Sequence, residues 1–255
     1  MAGHEGEVAW ARLTAAEIQA RAKPGTVVLV PVASIEQHGP HLATGVDMWL
    51  ASAVAERTAR KLQAAGTVAL VTPCIWSGLA EHHMDFGGTL TLDEAGFAAA
   101  VGGVVRSVAR HGFKRIVLVN GHGGNVEAIQ TAAIMLTRGL GVPVVGVTYW
   151  LANADTFGAI LETQVNVQHA CEAETSMMMA VQPDCVREAN IARAVPKRAI
   201  PAAPPGFKRH RAFAEMTDTG VMGDPRAASA GKGERLLDAA STRLADEIAR
   251  PELWA

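Results

Sequence analysis

Short apolar runs alternate along the chain with longer stretches in which apolar residues recur every three or four positions. The run Thr26-Val27-Val28-Leu29-Val30-Pro31-Val32 follows Pro24-Gly25 and has the composition of a buried strand. Further strands are expected at 67–73, 115–119 and 142–149. Between them, residues 47–62 read as an Ala-rich helix with Leu50, Val54 and Leu62 on one face, and 92–110 and 126–140 are also helical. Near the amino end, Thr14 with Glu17 three residues on forms a capping-box pattern that opens a helix running to about residue 22. A further helix is expected to start near Ala170 and carry the apolar run 177–181, and Leu236, Ala240, Leu244 and Ile248 repeat every four residues in a last one. Strands that alternate with helices require crossover connections, so the pattern implies an α/β fold with a mostly parallel sheet covered by helices on both faces.

Residues 186–230 break the pattern. Pro196, Pro201, Pro204, Pro205 and Gly206, followed by the basic cluster Lys208-Arg209-His210-Arg211, describe a long excursion of the kind that serves as a lid or a subunit contact. The cluster reads first as a solvated patch, and as a contact for a phosphorylated substrate if it lines a pocket.

Composition narrows the partners. At 255 residues with 49% hydrophobic content, one domain spanning 1–255 is the expectation. A formal net charge of −2 and a pI near 6.5 give no bulk electrostatic reason to bind nucleic acid or an anionic membrane. Cys74, Cys171 and Cys185 form no CxxC pair, and no secretory signal or bilayer-spanning run is visible, which together point to the cytoplasm.

Candidate chemistry gathers where strands hand over to loops. Glu36 and His38 leave the first strand two residues apart, on one face of an extended segment, and Asp47 stands at the entrance of the next helix. Two carboxylates and an imidazole suit zinc, manganese or iron(II). After the third strand comes Asn120-Gly121-His122-Gly123-Gly124-Asn125. Such a glycine loop can cradle phosphate, but it lacks GxGxxG and the P-loop Lys, and its glycines also allow the sharp turn that would aim His122 across the strand ends. Glu174 lies in an otherwise apolar stretch, where a carboxylate needs a cation or an arginine. His82 and His83 read equally as a hydrogen-bonded loop pair. Cys171 has no base to activate it and reads as a small buried residue, and no G-x-S-x-G elbow is present. In open parallel sheets ligands bind beyond the carboxyl ends of the strands, which is where these loops fall.

At these residues the chain resembles the creatininase (creatinine amidohydrolase) family over nearly its whole length. The markers occur in order: Glu36-Gln37-His38-Gly39-Pro40-His41-Leu42 with Asp47, Phe86-Gly87-Gly88-Thr89, Asn120 to Asn125, His169 through Glu174-Thr175-Ser176, and Gly223-Asp224-Pro225. The resemblance implies a three-layer α/β/α sandwich, usually a homohexamer, in which two divalent metal ions serve hydrolysis of a carbon–nitrogen bond in a small cyclic amide such as creatinine, a lactam or a hydantoin. It implies Glu36, His38, Asp47, His122 and Glu174 as metal ligands, with Asp47 bridging. It also implies that His169 handles the leaving-group proton, with Glu174 counted beside it as catalytic. Trp150, His83, Gly123 and Gly124 are the expected substrate contacts. Four departures from the family pattern stand out: Gly124 replaces a Glu, Val165 replaces the second tryptophan that sandwiches creatinine, Gly87 replaces a Pro, and Cys171 replaces a Gly. These leave room for a formamide deformylase, a peptidase of redox-cofactor maturation, or a metal-binding protein without catalysis.

Overall fold

The computed structural model describes residues 6–195, 207 and 209–255. Among them, β1 (Val27–Val32), β2 (Ala69–Val71), β3 (Arg115–Asn120) and β4 (Val144–Thr148) form one parallel sheet in the order β2-β1-β3-β4. Successive side chains of a strand point to opposite faces. Val27 and Leu29 of β1, with Val117 and Val119 of β3, therefore enter one core, while Val28, Val30, Ile116 and Leu118 enter another.

Each core is closed by its own helices. The first is covered by α2 (Val46–Ala64), α6 (Glu172–Val181) and α8 (Ala230–Ala249), which bring Leu50, Val54, Met177, Leu236, Leu244 and Ile248. The second is covered by α3 (Glu94–Arg110) and α4 (Val126–Leu140), through Phe97, Val101, Val105, Ile129 and Leu136. Three layers follow from this division.

The topology sets the place for a site. From β1 the chain crosses through α2 to β2 on one side, then returns through α3 to β3 on the other side of β1. Right-handed crossovers running in opposite directions must lie on opposite faces of the sheet, as α2 and α3 do. The carboxyl ends of β1 and β3 thus flank a switch point, where the loops part and leave a crevice.

Several local expectations are refined. The Thr14–Glu17 capping box caps α1 (Ala15–Ala20). β2 and β4 are shorter than 67–73 and 142–149, and the continuation beyond β2 is an isolated bridge between Val32 and Ile75. The helix expected near Ala170 begins at Glu172, because Ala170 is left-handed (φ 55°) and Cys171 is extended. Two helices carried too little periodicity to be expected: α5 (Ala154–Ile160) and the single turn α7 (Phe213–Met216). The prolines at 196, 201, 204 and 205, Gly206 and Lys208 lie outside the described residues. No helix among the described residues is long and apolar enough to cross a membrane.

Candidate metal centre

Three segments deliver carboxylates and imidazoles to the switch point. The chain leaving β1 carries Glu36 and His38, the first turn of α2 carries Asp47, and the chain leaving β3 carries His122; all four are buried. Asp47 gains from the unpaired N–H groups at the start of its helix. Gly121 lets β3 and α2 meet, since a Cβ there would lie 2.8 Å from both the Ala51 Cβ and the Asp47 carbonyl oxygen. Donor atoms of Glu36, Asp47 and His122 consequently lie within 4.8 Å of one another, and so do those of His38, His169 and Glu174.

Each imidazole is oriented by its outer nitrogen, and this fixes which atom faces inward. His122 Nε2 donates to the Leu79 carbonyl at 3.0 Å, so Nδ1 is the nitrogen that faces Glu36 Oε2 at 2.7 Å and Asp47 Oδ2 at 3.1 Å, and despite burial these carboxylates hold the imidazole well above its ordinary value. His38 Nδ1 donates to the Glu36 carbonyl at 3.2 Å, leaving Nε2 at 3.2 Å from Asp47 Oδ1 and 3.8 Å from Glu174 Oε2. His169 Nε2 donates to the Gln37 carbonyl at 2.7 Å and presents Nδ1 to Glu36 Oε1 at 3.4 Å. His83 is held the opposite way. Gln37 Nε2 donates to its Nδ1 at 2.9 Å and to the Gly220 carbonyl at 3.0 Å, so His83 Nε2 donates to Glu36 Oε1 at 3.2 Å.

Glu36 Oε2, His38 Nε2 and Asp47 Oδ2 are buried and make no hydrogen bond of acceptable geometry within the protein, although they crowd one another. Buried polar atoms are nearly always satisfied, and lone pairs converging on common points are what a cation needs. Titration behaviour agrees. Burial raises the Glu36 carboxyl above its ordinary value, Asp47 adding to the effect, and burial above all lifts Glu174 to about 7. Burial pulls His38 down, but Asp47, Glu174 and Glu36 outweigh it and leave the imidazole at about 9. His169 is pushed well below its ordinary value by burial, with the His38 and His83 imidazoles adding to it. The residues therefore fit divalent cations, with the Glu36, Asp47, His122 group and the His38, Glu174 pair adjoining through Asp47.

Glu174 is aimed by the turn before its helix. The Ala170 N–H donates to Glu174 Oε2 at 2.6 Å, across the left-handed residue that separates His169 from α6. Gly124 is closed off: a Cβ there would strike the Leu79 carbonyl oxygen and approach His122 Nε2 to 2.5 Å. A Glu at this position has no room while His122 keeps its present anchor. Trp150, His83 and Gly123 line a cavity of about 220 Å³ over the donor atoms, together with Phe213, Gln168 and Val167. Gly124 lies instead on an adjoining cavity of about 520 Å³. Val165 is 82% exposed and supplies no wall opposite Trp150.

Two contributors escaped the sequence reading. Gln37 stands inside the Glu36-Gln37-His38 motif, which draws attention to its neighbours. Phe213, whose ring centroid lies 3.9 Å from that of His83 and 4.8 Å from that of His169, belongs to the aperiodic segment and gives no sequence signal.

The family model described as creatinine amidohydrolase matches residues 11–248. The chain belongs to the creatininase family. Within it, the chain is 34% identical to the mycofactocin precursor peptide peptidase of Mycolicibacterium smegmatis, covering 88% of this chain and 85% of the relative. It is 32% identical to the creatinine amidohydrolase of Pseudomonas putida over 95% of both. The crystal structure of creatinine amidohydrolase superimposes with a TM-score of 0.81 at 30% identity, covering 94% of this chain and 96% of that one. Creatininase structures of the same fold exist in a form described as Zn-Zn and in a form described as Mn.

Proposed function

We propose that this creatininase-family hydrolase is divalent-metal-dependent and cleaves a carbon–nitrogen amide bond at the switch point. The observation that carries the reading is the convergence of unsatisfied buried donor atoms from Glu36, His38 and Asp47 beside His122 and Glu174. Zinc, manganese and iron(II) all suit this donor set. Bound there, such cations supply Lewis acidity, which acidifies water and polarises an amide carbonyl.

The remaining work falls to the chain. His169 is neutral, its Nε2 proton is committed to the Gln37 carbonyl, and Nδ1 faces the cavity. That nitrogen takes the proton of the attacking water and returns it to the departing amine nitrogen. His83 steadies Glu36 by its hydrogen bond, and Trp150 with Phe213 walls the scissile group from solvent. Glu36→Gln and His122→Ala are expected to lose bound metal and activity together. His169→Ala is expected to keep metal and turn over roughly 10²- to 10⁴-fold more slowly. Metal analysis beside kinetics checks both, and full turnover by Glu36→Gln with unchanged metal would end the assignment.

Between a small ring and a peptide, the geometry favours the peptide. The inner cavity of about 220 Å³ has Trp150 in its wall with no partner for it at Val165, and it adjoins the larger cavity at His82 and Gly123. Pockets for compact ligands usually run to roughly 300–1,000 Å³ and enclose them, so a substrate whose chain continues outward suits this shape better. The similarity to precursor peptide peptidases supports the same choice.

A further inference from the structure

The cavity over the donor atoms and the larger one share the lining residues His82 and Gly123, so the two adjoin. One part of the outer cavity's lining is acidic, formed by Glu81 at the start of the turn 81–86 and by Asp93 and Glu94 where the chain enters α3. Another part is basic, formed by Arg209, His210 and Arg211 on the segment leading into α7. That segment is tied to the reaction site, because Phe213 packs on the rings of His83 and His169.

The two arginines differ in what they already hold. Arg209 lies 3.7 Å from Glu215. Arg211 is half-buried and makes no hydrogen bond or ion pair among the described residues. A guanidinium presents a fork of donors matched to a carboxylate, and one left unmatched beside a reaction cavity is a recognition element. Asp93 is engaged, its Oδ1 accepting from the Gly96 N–H at 2.7 Å, whereas Glu81 and Glu94 stand exposed at the rim. An occupant must therefore carry one negative group toward Arg211 and tolerate, or complement, negative charge in the same cavity. A singly charged carboxylate on a peptide meets this demand; a dianionic phosphate sharing the cavity with the acidic residues meets it poorly.

We infer that the outer cavity is a second substrate subsite that holds a carboxylate of an extended peptide, with the Arg211 guanidinium as its anchor. The inference rests on the amide-hydrolase reading for its biological sense. The carboxylate comes either from an acidic side chain or from the peptide's carboxyl terminus.

Binding tests it without turnover. The metal-free full-length protein is titrated with hexapeptides of Ala and Gly bearing a neutral fluorophore. One set carries a single Glu moved through the sequence, a matched set carries Gln, and each is made with a free and with an amidated carboxyl terminus. The wild type is expected to bind at least one carboxylate-bearing peptide about ten-fold more tightly than its amide counterpart, as a charge-assisted bond to a guanidinium allows. Arg211→Gln should abolish that preference and Arg211→Lys should keep part of it. The set in which the preference appears, side-chain or terminal, identifies the source. Equal affinity for the paired peptides, a preference that survives Arg211→Gln, or no binding of any peptide would each overturn the inference. Preference without hydrolysis by the metal-loaded enzyme would instead retire the hydrolase reading, and hydrolysis without preference would do the reverse.

Discussion

Gln37 is hydrogen-bonded to five residues around the donor atoms. Its backbone N–H meets Thr89 Oγ1 at 3.2 Å, its carbonyl holds His169, its amide nitrogen holds His83 and Gly220, and its amide oxygen accepts from the Gly39 N–H at 3.0 Å. The residue contributes no donor atom itself, yet it decides which nitrogen of His83 and of His169 faces inward. Gln37→Leu removes the amide without a substitute, and losing a partner that orients the residues around a metal costs about 10- to 100-fold in affinity or activity. The expected result is a kcat lowered by that factor with the fold retained, read by kinetics beside thermal melting, and an altered tautomer of His83 in long-range nitrogen NMR spectra. Gly124 gives a second prediction. Because Leu79 O and His122 Nε2 occupy the space beside it, Gly124→Glu should not restore a family ligand. It should cost about 1–3 kcal/mol by overpacking and weaken metal retention, visible in melting and metal content. At this scale the meeting of Glu36, His38, Asp47 and His122 was legible because the loops that leave parallel strands gather at one edge of the sheet. Phe213 was not, because an aromatic residue in an aperiodic stretch has no periodicity to announce which way it faces.

The helices α6 and α8 are locked by a buried pair that lies behind the site. Glu172, fully buried at the start of α6, accepts from the N–H groups of Glu162 and Thr163, from the Thr163 hydroxyl at 2.6 Å, and from the buried Lys232 ammonium of α8. Lys232 also reaches Glu162 at 2.9 Å and the Ala227 carbonyl at 2.7 Å. The pair thereby fixes the turn that presents His169 and Glu174. Removing one member strands the other, so Lys232→Met is expected to cost about 3–5 kcal/mol, measurable in denaturant titrations. Burial raises the Glu172 carboxyl, but Lys232 and the Thr163 donors outweigh it and hold it below its ordinary 4.5. A carboxylate lowered on folding contributes stability that is present above 4.5 and lost as pH falls through the lower folded value. Lys232→Met should therefore flatten the acid limb of the stability profile in that window. The elements themselves were largely legible: the alternation of Val27, Val28, Leu29 and Val30 between two cores is what a strand covered on both faces requires, and Leu50, Val54 and Leu62 are buried as their spacing implied. The exceptions were local. Ala170 in the left-handed region delays α6, which no propensity for Ala foretells, and β2 breaks off early because its partner contact at Ile75 is a lone bridge.

For the whole molecule, the decisive feature is that three carboxylates, Glu36, Asp47 and Glu174, are buried together at one edge of a sheet in a chain whose net charge is only −2. Burial first, and repulsion from the Asp47 carboxylate after it, raise the carboxyls of Glu36 and Glu174, so the cation-free fold carries a destabilising cluster that a divalent ion relieves. An ion that binds the folded chain and not the unfolded one stabilises it by mass action, about 2.7 kcal/mol at a hundred times its dissociation constant. Manganese or zinc added after chelation should therefore raise the melting temperature of the wild type and leave Asp47→Asn nearly unmoved. The pH dependence has a definite sign. Without the ion, His38 at about 9 holds a proton near neutrality and Glu174 at about 7 holds one part of the time. Both protons must leave before these atoms can take a cation, so binding releases protons and the apparent affinity rises with pH up to about 9. Melting curves collected with fixed metal between pH 6 and pH 9 should show an increment that grows with pH. An increment that is absent, or that shrinks across this range, would mean that the five donor residues do not act together on a metal.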